Sequence, residues 1–255
     1  MDSKKEGEKV LKTMVLPSPV LLSSEVDFGI TGYLKYKLFG QELYITNTHI
    51  AIFTIMLVLI AFAIIVNINV KKADPTKPPT PFMNIVELLV ETLDNLIIDG
   101  MGVKHGYAYV NYVSTLFLFL VVSNMSGLFG LRPPTADYGV TFALAIITFV
   151  LIHYAGFKYQ KLAHITDLFK PAVLAPINII GELATPLSMS LRLFGNVLSG
   201  TVLMGLIYGL VPKVLTMLGW PGILHAYFDV FSGAIQAYVF VMLTMTFISQ
   251  NFDSE

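Results

Sequence analysis

Three ionisable side chains, Glu182, Arg192 and Asp229, stand inside long apolar stretches where charge is costly. Arg192 is the most constrained of them. It is one of two arginines in the chain, and the stretch around it, T-P-L-S-M-S-L-R-L-F-G-N-V-L-S-G from Thr185 to Gly200, has no other charge. A guanidinium at the centre of a bilayer costs about 3 kcal/mol on insertion scales and about 10 or more in simulations of isolated helices. It cannot escape by losing its proton, because its pKa stays above about 12. The chemistry open to such a fixed cation is electrostatic. It favours the ionised form of any carboxylate brought to it, and so makes that carboxylate release a bound proton or metal cation. A structural pair with a buried carboxylate is the plainer use of the same residue.

Helical spacing places other polar groups beside it. At about 100° per residue, Thr185, Ser188, Asn196 and Ser199 fall within about 40° of Arg192, a narrow polar stripe with the cation near its middle. Glycines at 195, 200, 205 and 209 allow close approach of another helix. On the last apolar stretch, Asp229, Ser232 and Gln236 are spaced i, i+3 and i+7, on one face of a helix. If the two stretches form a hairpin, both stripes can face a common wet cavity. Asp229 then serves as a relay for a proton or cation, or simply pairs with Arg192. Glu182 lies about 80° off the arginine stripe and ten residues away, where it lines a separate aqueous entry or caps a solvated helix end. His225 reads as an interfacial residue rather than a relay.

One cation near the midplane, with polar routes toward each face and no continuous charged pore, suits a carboxylate carried past it by a partner. The incoming carboxyl gives up its ion near Arg192 and is reloaded beyond it, while the cation blocks a straight leak. One charge crossing 100 mV is worth about 2.3 kcal/mol, so several ions per cycle are needed to drive costly chemistry elsewhere.

These residues need long helices to hold them. With 55% hydrophobic and 13% charged residues and a mean hydropathy of +0.71, the chain reads as an all-α polytopic membrane protein. The net charge of -1 gives no reason to expect nucleic acid as a partner. There is no cysteine, the five histidines are scattered without an H-x-x-x-H pair, and no nucleotide-binding loop motif occurs. No metal, no cofactor and no catalysis by this chain alone are therefore expected. Residues 1–42 form an external arm, with room for a short interfacial helix, and residues 43–255 the membrane domain. Spans are expected at about 49–70, 107–131, 138–157, 171–210 and 222–251, with an amphipathic surface helix at about 82–101. The last two spans are long, hence tilted or bent, with Pro176 and Pro186 as bend points in the fourth. Five crossings put the termini on opposite sides. Lys71, Lys72, Lys77, Lys104, Lys158, Lys161 and Lys170 crowd one side against Arg132 and Lys213 on the other, which makes the C-terminus cytoplasmic and the N-terminus external.

The motif S-L-R-L-F-G-N at Ser190 to Asn196, with G-A-I-Q-A-Y-V-F-V-M-L-T at Gly233 to Thr244, resembles subunit a of the bacterial F-type ATP synthase membrane sector. Asn124 with G-L-F-G-L and the amphipathic second segment extend the likeness to roughly residues 45–250. The resemblance implies a stator subunit of a multi-pass complex in the cell membrane, coupling H+ flow to ATP synthesis through two aqueous half-channels. It implies that Arg192 is the essential arginine facing the carboxylates of the c-subunit ring. It places Glu182, Ser188, Asn196, Ser199, Thr201, Asp229, Ser232 and Gln236 along the ion path. The partners it implies are the c ring, the b-subunit stalk, the F1 head that makes ATP, and membrane lipid. Two positions depart from the usual pattern: Thr201 stands where many members carry glutamate, and Asp229 where many carry histidine or an acid. Asp229 is then the evident acid of the outer half-channel, unless Asp137 contributes. Na+ in place of H+ is the alternative coupling ion, and a secondary transporter or channel the alternative class; the latter often carries inverted repeats, of which the sequence gives no convincing sign.

Overall fold

The computed structural model describes residues 32–38, 41–74, 78–129, 131–169, 174–210 and 220–252. Of the N-terminal arm, residues 1–31 lie outside this set. The described part is not an interfacial helix but an antiparallel hairpin, β1 (Gly32–Leu38) with β2 (Gln41–Thr46), in the register Lys35↔Tyr44 and Lys37↔Glu42. The boundary expected after residue 42 falls inside β2.

Helices α1 (Asn47–Lys72), α2 (Pro81–Met101) and α3 (Val103–Met125) follow. Then come single 3-10 turns at Ser126–Phe129 and Pro134–Ala136, α4 (Tyr138–Tyr159) and a short α5 (Ala163–Leu168). The chain ends with α6 (Ala175–Leu210), α7 (Trp220–His225), a π-helical segment (Ala226–Ser232) and α8 (Gly233–Ser249). Five helical stretches are long and apolar enough to cross a membrane: 47–72, 103–129, 138–159, 175–210 and 222–249. Helix α6 has 36 residues, about 54 Å at 1.5 Å per residue, and so exceeds the ~30 Å of hydrocarbon unless it tilts.

Local chemistry sets the joints. Helix α2 begins on Pro81, whose missing N–H costs nothing in the first turn, with the Thr80 hydroxyl accepting from Met83 N at 3.4 Å. It turns Val86, Leu93, Ile97 and Met101 inward and leaves Glu87, Glu91 and Asp99 exposed, the amphipathic segment expected. A single residue, Gly102, reverses the chain into α3 at φ 76°, a conformation that a Cβ makes costly. Asp137 caps α4, accepting from Gly139 N at 2.9 Å and from Thr48 Oγ1 at 3.2 Å. Its Oδ1 thus caps its own helix and its Oδ2 ties α1 to α4.

The core is built from α2, α3, α4, α6 and α8, with Ile97, Leu120, Ala145, Leu193, Phe240 and Ile248 at its centre. Helix α1 buries only Thr48, Ala51 and Ile55, and shows Phe53, Ile60 and Ile64 to its surroundings, as a lipid-facing helix does. At one end of the bundle, α3 and α8 are clamped by buried Asn124. Its Nδ2 donates to the Gly233 carbonyl at 2.8 Å, and its Oδ1 accepts from the Thr135 hydroxyl at 2.7 Å. A Cβ on Gly233 would lie 2.8 Å from Asn124 Cβ, too close for either backbone to keep its place. Gly233→Ala is therefore expected to destabilise the subunit by about 1–3 kcal/mol through overpacking. Gly222→Ala, whose Cβ meets nothing within 4 Å, is the control that stays at wild type in the same thermal-unfolding measurement in detergent.

Candidate functional site

Helix α6 buries Pro186, Met189, Leu193, Gly200 and Met204 along one face. The arginine stripe runs beside that face. Ser188, Arg192 and Ser199 are exposed, and Thr185 and Asn196 half-buried. Arg192 makes no hydrogen bond or ion pair with any described residue, and Asp229 pairs with His225 instead. The plain structural use of the arginine is thus not realised within the described chain. Its charge is exposed at membrane depth, where no described residue of the chain meets it. The Cβ positions of Gly195 and Gly209 open onto free space, whereas Gly200 meets Phe228 at 3.6 Å.

One rung joins α6 to the last helix: Ser232 Oγ donates to Asn196 Oδ1 at 3.1 Å. Because the two helices run antiparallel, Arg192, four residues before Asn196, lies level with Gln236, four after Ser232. Gln236 is buried and its Nε2 finds no partner among the described residues. Ser199 and Thr201 turn their hydroxyls back to the carbonyls of Asn196 and Val197, at 2.9 and 2.8 Å. Ser188 makes no hydrogen bond to a described residue.

Toward the hairpin end lies a chain of three titratable groups. The Tyr208 hydroxyl is 2.9 Å from His225 Nε2, and His225 Nδ1 is 2.7 Å from Asp229 Oδ2. The carboxylate rests against Gly127, where a Cβ would come within 3.3 Å of it. Next to it is a cavity of about 20 Å³ bounded by Asn124, Asn196, Thr201, Asp229 and Gly233, room for one water with polar groups on several sides. The last span, expected as one continuous helix, is π-helical from Ala226 to Ser232. Its wider turns rotate each residue by less than an α-helix does, which takes Asp229 off the simple i, i+3, i+7 face.

At the opposite end, Glu182 borders a second and larger cavity of about 540 Å³ with Asn178, Thr185, Gln160 and Gln250. Glu182 Oε1 is 3.5 Å from Nε2 of His153 on α4, whose Nδ1 donates to the Phe149 carbonyl at 3.0 Å. The His164 ring stands 5.3 Å from the His153 ring, and fits only because residue 156 is glycine: a Cβ there would be 2.6 Å from it. Pro186 has no N–H to offer the Glu182 carbonyl, so that carbonyl lacks its usual helical donor. Two separate polar pockets, one at each end, thus flank a level where an exposed cation stands. Among the described residues no group of three His, Asp or Glu side chains is placed to hold a metal ion.

The sequence profile of the ATP synthase A chain family matches residues 50–249, a range that holds Arg192, Glu182 and Asp229 and all of both pockets except Gln250 and Asn251. The chain belongs to the ATP synthase A chain family. ATP synthase subunit a of Mycoplasmoides gallisepticum is 34% identical over 88% of this chain and 85% of that protein. The Bacillus subtilis subunit a is 31% identical over 86% of this chain and 96% of that protein. A relative from Propionigenium modestum, named ATP synthase subunit a, sodium ion specific, is 40% identical over 55% of this chain and 53% of its own length. Family and helices together place the protein in a membrane.

As a member of the ATP synthase A chain family, the protein carries two further candidates not singled out from the sequence, Tyr208 and His153, and a third, His225, that was read as interfacial rather than as a relay. His225 and Asp229 are four apart on a helix, a spacing that was readable. His153 and Glu182 sit on different helices, and Tyr208 reaches His225 across a chain reversal, so no local spacing announces either pair.

Proposed function

We propose that this chain is the ion-translocating stator subunit of an F-type ATP synthase, in which Arg192 acts on carboxylates of a c-subunit ring and couples H+ flow to rotation. The observation that carries this is the exposed guanidinium, without a partner among the described residues, between two separate polar pockets. The cavity at Glu182 serves as the inner half-channel. Asp229, Asn196, Ser232, Thr201 and Gln236 form the outer one, and Ser188 and Ser199 line the face turned to the ring. A ring carboxylate that has passed Arg192 is protonated from the outer route. When the ring brings the carboxyl to the inner pocket it releases its proton there, the carboxylate left behind being stabilised by Arg192. The chain makes no ATP itself; a separate F1 head does so, held by a b-subunit stalk, in a bacterial cell membrane. Lys71, Lys72, Lys104, Lys158 and Lys161 gather at the Glu182 end, which makes that end cytoplasmic, with the C-terminus there and the N-terminus external.

Two observations favour H+ over Na+. The outer route runs through a hydroxyl, an imidazole and a carboxylate in hydrogen-bond contact, a chain that hands on protons. Its next step is a cavity of about 20 Å³, too small for a hydrated metal ion. The Propionigenium relative's name keeps Na+ as the second reading. The test is ATP synthesis by the reconstituted complex under an imposed gradient, at fixed pH and voltage, with Na+ present or withheld. Indifference to Na+ is the expected result. Strict dependence on Na+, surviving a protonophore at clamped voltage, overturns the proton reading.

A further inference from the structure

We propose that Tyr208, His225 and Asp229 form the proton-loading relay at the mouth of the outer route, with His225 the residue that charges Asp229. This rests on the proton-coupled reading above. An i, i+4 His–Asp pair on an exposed helix is by itself a weak contact and carries no function. Three features set this one apart. The chain of contacts crosses from α6 to the π-helical segment, at 2.9 and then 2.7 Å, so the imidazole is held at both nitrogens. Exposure falls inward along it, from Tyr208 at 42% to the His225 side chain at 33% and the Asp229 side chain at 20%. And Asp229 Oδ1 has no partner among the described residues, while the carboxylate borders the one-water cavity that leads to Asn196 and the Ser232 rung.

Among the described residues, the turn whose Pro133 lines the cavity carries Arg132 and the helix cap Asp137, and the π-helical segment carries Tyr227. From Asn196 to Leu210, α6 offers Tyr208 as its one titratable side chain, and the end of α3 with its following turn, Leu120 to Phe129, offers none. The proton acceptor that Thr201 cannot be is thus provided from the facing helix. The step balances as follows. A proton from outer water adds to His225 Nε2 as the Tyr208 hydroxyl turns aside, giving an imidazolium. Its Nδ1–H proton passes to Asp229 Oδ2, leaving a neutral carboxyl and a neutral imidazole protonated at Nε2. Asp229 then releases its proton to the cavity water and onward, returning to carboxylate. The neutral ring then turns its bare Nδ1 to outer water and takes up the next proton there. It turns back as an imidazolium with Nδ1–H toward Asp229, so later turnovers enter at Nδ1. Its partial exposure leaves room for the turn.

The experiment uses the assembled complex in proteoliposomes, with ATP synthesis driven by an acid–base jump and subunit content and ATP hydrolysis measured on the same preparation. His225→Ala and His225→Gln are each expected to lower synthesis about tenfold, a modest share of the ~10²–10⁴ that a positioned proton carrier supplies, because outer water reaches Asp229 slowly without it. Imidazole in the acidic compartment is expected to restore the Ala variant, and Tyr208→Phe to lose a few-fold only. His225→Gln at the wild-type rate overturns the relay, and so does a loss in His225→Ala that imidazole leaves unchanged while hydrolysis and subunit content are normal. Failure of the proton reading itself looks different: the wild-type complex then refuses to synthesise without Na+.

Discussion

Replacing Arg192 by alanine is expected to cut ion-driven ATP synthesis about a hundredfold or more, the range seen when a preorganised charge is removed from a reacting centre. The protein should still insert and assemble. The guanidinium touches no described residue, so no internal partner is orphaned by its loss, and a helix without it enters the bilayer at lower cost. The side chains that hold α6 in place, Met189 and Leu193, lie on the buried face beside the arginine stripe rather than on it. Arg192→Lys keeps the charge but shortens the planar fork to a compact, strongly hydrated point charge, and is expected to fall nearly as far. A second readout separates the two roles of the cation. If it also bars a direct path between the Glu182 pocket and the Asp229 cavity, the alanine variant should leak protons passively while the lysine variant does not. Wild-type synthesis in a fully assembled Arg192→Ala complex would sink the stator reading as a whole.

The sequence was most informative where the membrane imposes the rule. Five apolar stretches and one acidic amphipathic stretch became helices α1, α3, α4, α6, α7–α8 and α2, because backbone groups in hydrocarbon must bond within their own segment. The Arg192 stripe was legible because a helix has one period, and its polar residues do share a side of α6. What sits on that side was not legible. The expected wet cavity between two stripes narrows to one rung, Ser232 to Asn196, and a space for a single water, while Arg192 stays exposed. The reason is the π-helical segment, whose extra width from Ala226 to Ser232 shifts the register of Asp229 against Gln236. No glycine, proline or polar pattern specific to a π turn marks it in the sequence. The hairpin of β1 and β2 was missed for a similar reason: Gly32 to Thr46 alternates too weakly to distinguish a strand pair from an irregular arm. Asn124 belonged to the resembling motif, yet its role as a clamp depends on Gly233, more than a hundred residues away in the sequence, and no local rule reaches that far.

Asp229→Asn is the other change expected to be severe, a loss of about a hundredfold or more, within the ~10²–10⁴ attributed to a positioned proton carrier. The amide is nearly the same size, so its fit against Gly127 and a hydrogen bond to His225 both survive. What disappears is the capacity to take up and release a proton. The effect should exceed that of His225 for a structural reason. His225 stands nearer the outer end, where water can substitute for it, whereas Asp229 lies between the imidazole and the one-water cavity. With Thr201 unable to titrate and Asp137 tied to its cap, no second carboxylate among the described residues stands ready to replace it. Asp229→Glu tests position rather than chemistry. Its added methylene must push the carboxyl toward Gly127 or into the cavity, and an intermediate rate is expected, improved by no other change at the site. The measurement is synthesis under an acid–base jump, alongside hydrolysis and subunit content in the same membranes. If the Asn variant keeps the wild-type rate, protons reach the ring by a route that avoids Asp229, and the outer half-channel must be sought on the exposed face beside Ser188 and Ser199 instead.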